Sequence, residues 1–365
     1  VPERKIINEG APGHGCGHNL FGTGSMAAAI EVKNWLAQNK KSGTIRFYGT
    51  PAEEGGSGKA YMVREGLFND VDVVLHWHPG DSNSASSSSS LANKSAKFRF
   101  HGISSHAAAA HDRGRSALDG VEVMNYAVNM MREHIPSATR IHYVITDGGK
   151  APNVVPDFAE VYYLVRHPSR QYVASIWERV LKAAQGAAMA TGTTVEEEVI
   201  SGVYELLPNN VLAQLMHTNL KAVGGIKYTP EEMKFAEQIS TTSGMGIREI
   251  ATAAEVEPLE EGGFGFFSTD VGDVSWTVPT VDLRTATWVP GTPAHSWQAV
   301  AAGGMSIGRK GMIAAAKTLA MTAIDLFQNE KVIAEAKAEF DKRRGTDFKY
   351  KALLGDRKPA LNYRD

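Results

Sequence analysis

The only cysteine in the chain, Cys16, lies in GHGCGHN, with His14 two residues before it and His18 two residues after it. A thiolate and imidazoles this close together can chelate a soft or borderline metal ion, although a lone sulfur can equally be a nucleophile or buried filler. Three more clusters carry ligand-type side chains: adjacent Glu53 and Glu54 in PAEEGGSGK, His76 and His78 in LHWHP, and His295 in GTPAHSW. Each alone has a plain explanation. A histidine at a strand end is commonly just hydrogen-bonded, and adjacent glutamates commonly edge a solvated loop. Three of the clusters, however, fall where expected strands give way to helices or glycine loops, which is where open α/β sheets put their chemistry. A hydrolase using Cys16 as nucleophile would need a histidine base across the site, and His18, two residues on, is badly placed for that.

The elements that must position these residues follow from periodicity. Small and apolar residues between Leu20 and Leu36 predict a closely packed helix starting just after His18. TIRFYGT (44–50) reads as a strand feeding the glutamate loop, and VDVVLH (71–76) as a buried strand ending at the histidine pair. The serine run from Ser82 to Ser90 fits either a flexible linker or a close-packed strand. Beyond it Phe98 and Phe100 alternate with Lys97, Arg99 and His101. Ala117, Val121, Met124, Val128 and Met131 then recur at helical spacing. Alternating strands carry Ile141, Tyr143 and Ile145, then Val161, Tyr163 and Val165. A helix through Val173, Ile176, Val180, Ala184 and Ala187 and a strand near 194–200 complete a β-α-β-β-α-β order, the ferredoxin-like unit. The expected architecture is therefore an α/β domain built from residues 1–93 and 204–365, interrupted by an inserted ferredoxin-like α+β dimerisation or lid domain at 94–203. An amphipathic helix through Met312, Ala316, Ala320, Ala323 and Phe327 belongs to the second outer segment.

Bulk composition narrows the class of partner. The 365 residues include 38 basic and 40 acidic side chains, with no long run of like charge, which excludes an obvious nucleic-acid footprint and favours small molecules. The most apolar long stretch, Met312 to Phe327, is interrupted by Lys317 and Asp325 and is too short for a bilayer span. A lone cysteine and an N-terminus without an apolar signal core fit a reducing cytoplasm. Because the chain starts at Val1 and reaches a chemical motif by residue 13, a natural N-terminal portion is expected upstream.

The motifs GHGCGHN, TPAEEGG, LHWHP, GISSHAAAAH, APNVVPDF and the late AHS occur in the order found in the two-zinc amidohydrolase and aminopeptidase family. That family includes aminoacylase, carboxypeptidase G and the auxin-conjugate hydrolases, and the chain resembles it from about Gly10 to Phe327. STDVGDVSW (268–276) and the tryptophan in LHWHP look most like the branch acting on aminobenzoyl-glutamate. The resemblance implies that Cys16 bridges two divalent ions, Zn2+ or Mn2+, that His18 and Glu54 hold one of them, and that His76 and His295 complete the set. His76 is preferred to His78 because the family spacing of histidine, two residues, proline is met through Pro79. The same resemblance makes Glu53 the general base toward a metal-activated water and His106 a donor to the tetrahedral oxyanion, usually across a dimer interface. It assigns Asn153 and Arg166 to substrate, with Arg166 pairing a carboxylate. Asp270 and Asp273 stand where the wider family has a different acidic pattern, and His14 and His111 receive no task.

The implied activity is metal-dependent hydrolysis of the amide joining an acyl group, aminobenzoyl or a similar aromatic one, to an amino acid such as glutamate. Deacylation of other N-acyl amino acids is one alternative. Another is a subunit that acts only with a related partner chain, so both a homodimer and a heterodimer are expected forms.

Overall fold

The computed structural model describes residues 1–242 and 249–361. In its first part, helix α1 (His18–Gln38) and the short α2 (Gly58–Arg64) precede strands β1 (Val74–Gly80) and β2 (Ser84–Ser89). The middle part runs β3 (Ala92–His101), β4 (Ser105–His106), α3 (Ala117–Met131), β5 (Arg140–Asp147), β6 (Val154–Val155), β7 (Phe158–His167), α4 (Arg170–Thr191) and β8 (Thr194–Val203). The last part holds α5 (Asn210–Val223), α6 (Pro230–Ser240), β9 (Glu261–Phe264), α7 (Val271–Ser275), β10 (Thr280–Ala286), α8 (Trp297–Gly303), α9 (Ser306–Gln328) and α10 (Glu330–Arg344).

Two four-stranded sheets organise the molecule. The first has the order β1-β10-β2-β9, with β1 and β10 parallel and β2 antiparallel to β10. Its core draws on α1, α5 and α9: Leu20, Val32 and Leu36 meet Trp77, Leu212, Met216, Leu283, Leu319 and Ala323. The second sheet has the order β5-β7-β3-β8, antiparallel throughout, and with α3 and α4 it makes a ferredoxin-like α+β unit. Alternation explains its two faces. Phe98, Phe100, Val161, Tyr163 and Val165 point into a core shared with Val121, Met124, Ile176 and Val180 of the helices. The opposite face carries charge, and there Arg99 donates to Glu160 at 2.7 Å and to Glu198 at 2.6 Å. Ser116 and Ser169 cap the two helices by accepting from Asp119 N and Gln171 N. Each such cap contributes on the order of 1 kcal/mol.

The two passages between the sheets run side by side. Ser89 Oγ donates to Leu206 O at 2.8 Å, and Leu206 N donates to Ser90 Oγ at 3.0 Å. Arg170 at the start of α4 stacks on the Trp276 ring, 3.4 Å from its centroid, and donates to Glu205 at 2.9 Å, which ties the inserted helix to the first unit.

Three local expectations change. The serine run is not a linker: it forms β2, with Ala85 and Ser87 buried between β10 and β9, where small side chains allow close packing. TIRFYGT forms no strand, because residues 44–50 enter no ladder. That segment is held by side chains instead, with Arg46 donating to both oxygens of Asp70 at 2.7 and 2.6 Å and Tyr48 packed on Phe68. The strand read at 71–76 begins later, at Val74, and runs on through both histidines.

Candidate metal centre

Cys16 and His18 are placed by a tight turn into α1. Gly17 takes φ +72°, and a Cβ there would come 2.7 Å from the Cβ of Pro79, so only glycine lets the turn approach the end of β1. His295 arrives from the other side on a loop whose amide donates to Gly15 O at 2.9 Å. Its own φ of +60° is unusual for a residue with a Cβ, as are those of Ala52 and Ser57, at +61° and +54°, in the glutamate loop. Backbone strain concentrated on ligand-bearing loops is typical of a site that the rest of the fold over-determines.

The side chains converge. Cys16 Sγ lies 3.0 Å from His295 Nε2, His18 Nε2 lies 3.4 Å from His78 Nε2, and Glu54 Oε1 is 3.7 Å from His295 Nε2 and 4.0 Å from His18 Nε2. Three overlapping groups have their ligand atoms within 4.8 Å of one another: Cys16, His18 and His78; Cys16, Glu54 and His295; His18, Glu53 and Glu54. Cys16 is common to the first two. The donor set of one thiol, three imidazoles and carboxylates suits zinc and also accepts manganese.

The second-row contacts separate the two histidines of β1. His78 Nδ1 donates to Pro79 O at 2.6 Å, which leaves Nε2 with a free lone pair facing His18. His76, expected as the ligand, is instead engaged: its Nδ1 donates to Asp282 Oδ1 at 2.8 Å, and it belongs to none of the three groups. Both histidines occupy the same face of the strand because side chains alternate, and the register with β10 sets Asp282 beside His76. His78, set aside in the sequence as a bland neighbour, is the one brought to the cluster. The alternation of His76 and His78 on one strand face was the available signal, and proline spacing hid it.

Electrostatics agree with ligand roles. Burial pushes the Cys16 thiol up to about 12, reinforced by the carboxylates of Glu54 and Glu53 and opposed by Arg284. Without a cation beside it this sulfur stays protonated, which disfavours a thiolate nucleophile and suits a metal-bound sulfur. Burial lowers His18, and burial with the Arg284 charge drives His78 down to about 3, so both imidazoles are neutral and able to coordinate. Burial, then the charge of Asp270, raises Glu53, while a hydrogen bond from Thr269 partly offsets this.

Asp270 and Asp273, left open by the sequence, sit just before and on α7. Asp270 is fully buried and accepts from Lys59 N and Lys59 Nζ, both at 2.9 Å, bracing the start of α2 directly after the glutamate loop. Asp273 accepts from Tyr204 N at 3.0 Å and Tyr350 Oη at 2.7 Å.

The inserted unit's candidates lie apart from this cluster. His106 is exposed on β4, and its Nδ1 accepts from Ala108 N and Ala109 N at 3.2 and 3.1 Å, so Nε2 carries the proton. Asn153 stands beside it, its carbonyl accepting from Ala107 N at 3.0 Å. Arg166 lies on β7 between Asn93 of β3 and Arg140 of β5, with its Nε buried and without a partner among the described residues. None of the three joins the ligand groups of its own chain.

The model of peptidase family M20/M25/M40 matches residues 5–296. One of the two kinds of subunit of the p-aminobenzoyl-glutamate hydrolase of Escherichia coli (strain K12), the kind designated B, is 43% identical over 358 residues, covering 91% of this chain and 74% of that protein. The Xaa-Arg dipeptidase of Mus musculus is 29% identical over 335 residues, covering 90% and 70%. Among solved structures, an aminobenzoyl-glutamate utilization protein from Klebsiella pneumoniae superimposes with a TM-score of 0.58 at 19% identity, over 83% of this chain and 67% of that one. A dinuclear metal-binding peptidase of the M20 family from Bacillus subtilis gives 0.51 at 14% identity, over 86% and 73%. The α/β fold with its ferredoxin-like unit is thus that of known M20 structures.

Proposed function

The chain belongs to peptidase family M20/M25/M40, and from that premise we propose that it is a metal-dependent amidohydrolase cleaving the amide between an aromatic acyl group and an amino acid, with aminobenzoyl-glutamate as the leading substrate. The observation that carries the reading is the pair of ligand groups that share Cys16. Cys16, His18 and His78 would hold one ion, and Cys16, Glu54 and His295 the other, Zn2+ or Mn2+ in each case. When bound, such ions polarise the scissile carbonyl and acidify water. Glu53 is not needed in either group, and its raised proton affinity suits a residue that takes a proton from water and returns it to the departing amine nitrogen. His76, held by Asp282, supports the strand behind His78.

His106 is the proposed donor to the oxyanion of a neighbouring site, since its Nε2–H is free and no ligand group of its own chain includes it. A second copy of the chain is the proposed neighbour. Strand β5 is a sheet edge whose Val144 is exposed, and α3 exposes Val123, Tyr126 and Met130 on one face beside it. Asn153, next to His106, would then contact the same substrate, and Arg166 is retained as a second proposed substrate contact. Relatives named as two different subunits of one hydrolase favour a second reading, in which the neighbour is a related chain rather than a copy. No helix among the described residues is long and apolar enough to cross a membrane, and a cytoplasmic location is proposed.

The test is a panel of N-acyl amino acids given to the metal-loaded chain, alone and with a related partner. Release of glutamate from aminobenzoyl-glutamate, lost on chelation, supports the reading. Turnover that survives chelation and stops on thiol alkylation would overturn it in favour of a cysteine nucleophile.

A further inference from the structure

Arg284 lies in β10 directly opposite His78 in β1, one register step beyond the Asp282–His76 pair. Register partners in adjacent strands project to the same face of a sheet, and the 2.8 Å contact between Asp282 and His76 shows which face that is. Gly80, two residues after His78, shares that face. A Cβ on Gly80 would stand 2.6 Å from Arg284 Cγ and 2.5 Å from its Cδ. The stem of Arg284 therefore crosses from β10 to β1 over Gly80, at the strand ends where Cys16, His18 and His78 gather. Its charge reaches that cluster, acting on Cys16, His78 and Asp282.

The guanidinium nevertheless makes no hydrogen bond or ion pair among the described residues. The nearest carboxylate in register, Asp282, is occupied by His76. The other cation buried near the site, Lys59, is committed to Asp270. Arg284 is thus a partly buried fork of donors at the rim of the ligand cluster, with no protein acceptor among the described residues. A planar guanidinium in that position is matched by a planar carboxylate.

We infer that Arg284 binds a carboxylate of the amino-acid half of the substrate and so selects N-acyl amino acids over the corresponding amides. This rests on the amidohydrolase reading above and adds to it a residue that sets specificity. Gly80 is the enabling partner, because any side chain there would displace the arginine stem.

The experiment compares the metal-loaded chain with its Arg284→Met and Arg284→Lys variants on aminobenzoyl-L-glutamate and on the same compound with either carboxylate converted to a carboxamide. Arg284→Met should raise KM about 10- to 100-fold for the diacid, with kcat changed much less and metal content unchanged. One of the two monoamides should be a poor substrate for the parent and lose no further ground in the variant. Arg284→Lys should fall between them. Binding of the uncleaved diacid to Glu53→Ala, measured by calorimetry with and without Arg284→Met, gives a second readout independent of turnover. Unchanged KM and unchanged binding in the variant, or full discrimination against the amide without Arg284, would overturn the inference. If the parent cleaves no N-acyl amino acid but its binding of the diacid still depends on Arg284, the arginine site stands and the assigned reaction fails. If Glu53→Ala binds no diacid at all, the arginine site fails.

Discussion

Cys16 is the residue on which the chemistry turns, and its surroundings decide among the roles a lone thiol can play. Buried beside Glu54 and Glu53, it is pushed up to about 12, so only a cation can make it a thiolate at neutral pH. Cys16→Ala should therefore lower bound metal, read by elemental analysis, before any change in fold is seen by circular dichroism. Full metal retention in that variant would contradict a bridging sulfur. The two histidines of β1 allow a sharper comparison. His78→Ala should lose metal, whereas His76→Ala should retain it and show a smaller loss of activity, because His76 is bonded to Asp282 and outside the ligand groups. The reverse ranking would restore the assignment made from sequence. The cysteine motif and the glutamate pair were legible because residue type and local spacing carry them. The choice of His78 was not, because it depends on which β10 residue faces each histidine, and pairing register is a long-range property. Arg284 was invisible for the same reason.

Among the elements, α7 and the glutamate loop form one mechanical unit. The loop carries two non-glycine residues at positive φ, and it runs into α2, whose Lys59 is locked to Asp270 through both backbone and side chain. Removing one partner of a buried ion pair strands the other, so Asp270→Ala should cost roughly 3–5 kcal/mol in urea unfolding, and Lys59→Met with Asp270→Leu should recover much of it. A loss below about 1 kcal/mol in the single variant would mean the pair is not a brace. The neighbouring Asp273 predicts a pH effect. Burial raises its carboxyl to about 7, opposed by bonds from Tyr350 and Tyr204, so between about pH 4 and 7 the folded chain holds a proton the unfolded chain has lost. Its contribution to stability then falls as pH rises through that window, and Asp273→Asn should flatten that part of the stability curve. An unchanged slope would remove Asp273 as its source. Helices α1, α3, α4 and α9 were readable from their apolar spacing, which survives tertiary context. The strand expected at 44–50 was not formed, since a β-prone segment becomes a strand only with a ladder partner. The serine run shows the opposite case, where a composition typical of linkers is a strand because small side chains fit between β10 and β9.

At the scale of the whole molecule, the strand–helix order alone identified the ferredoxin-like unit, and sheet order β5-β7-β3-β8 realises it. The way the unit attaches could not be read from sequence, because Ser89, Ser90, Leu206, Arg170 and Trp276 meet only once both sheets are assembled. That unit exposes an apolar edge, and pairing there would bring His106 to another chain's cluster. Tyr126→Glu with Val144→Glu should convert a dimer to a monomer in sedimentation and lower kcat, while metal content stays unchanged. An oligomeric state and kcat equal to the parent's would place the interface elsewhere. The most direct test of the account is glutamate release from aminobenzoyl-glutamate by the zinc- or manganese-loaded chain, before chelation, after chelation and after metal is restored. The account predicts turnover that disappears with the metal, returns with it, and is abolished in Glu53→Ala although its metal content is kept. Turnover that persists through chelation, or a metal-loaded Glu53→Ala as active as the parent, would contradict it.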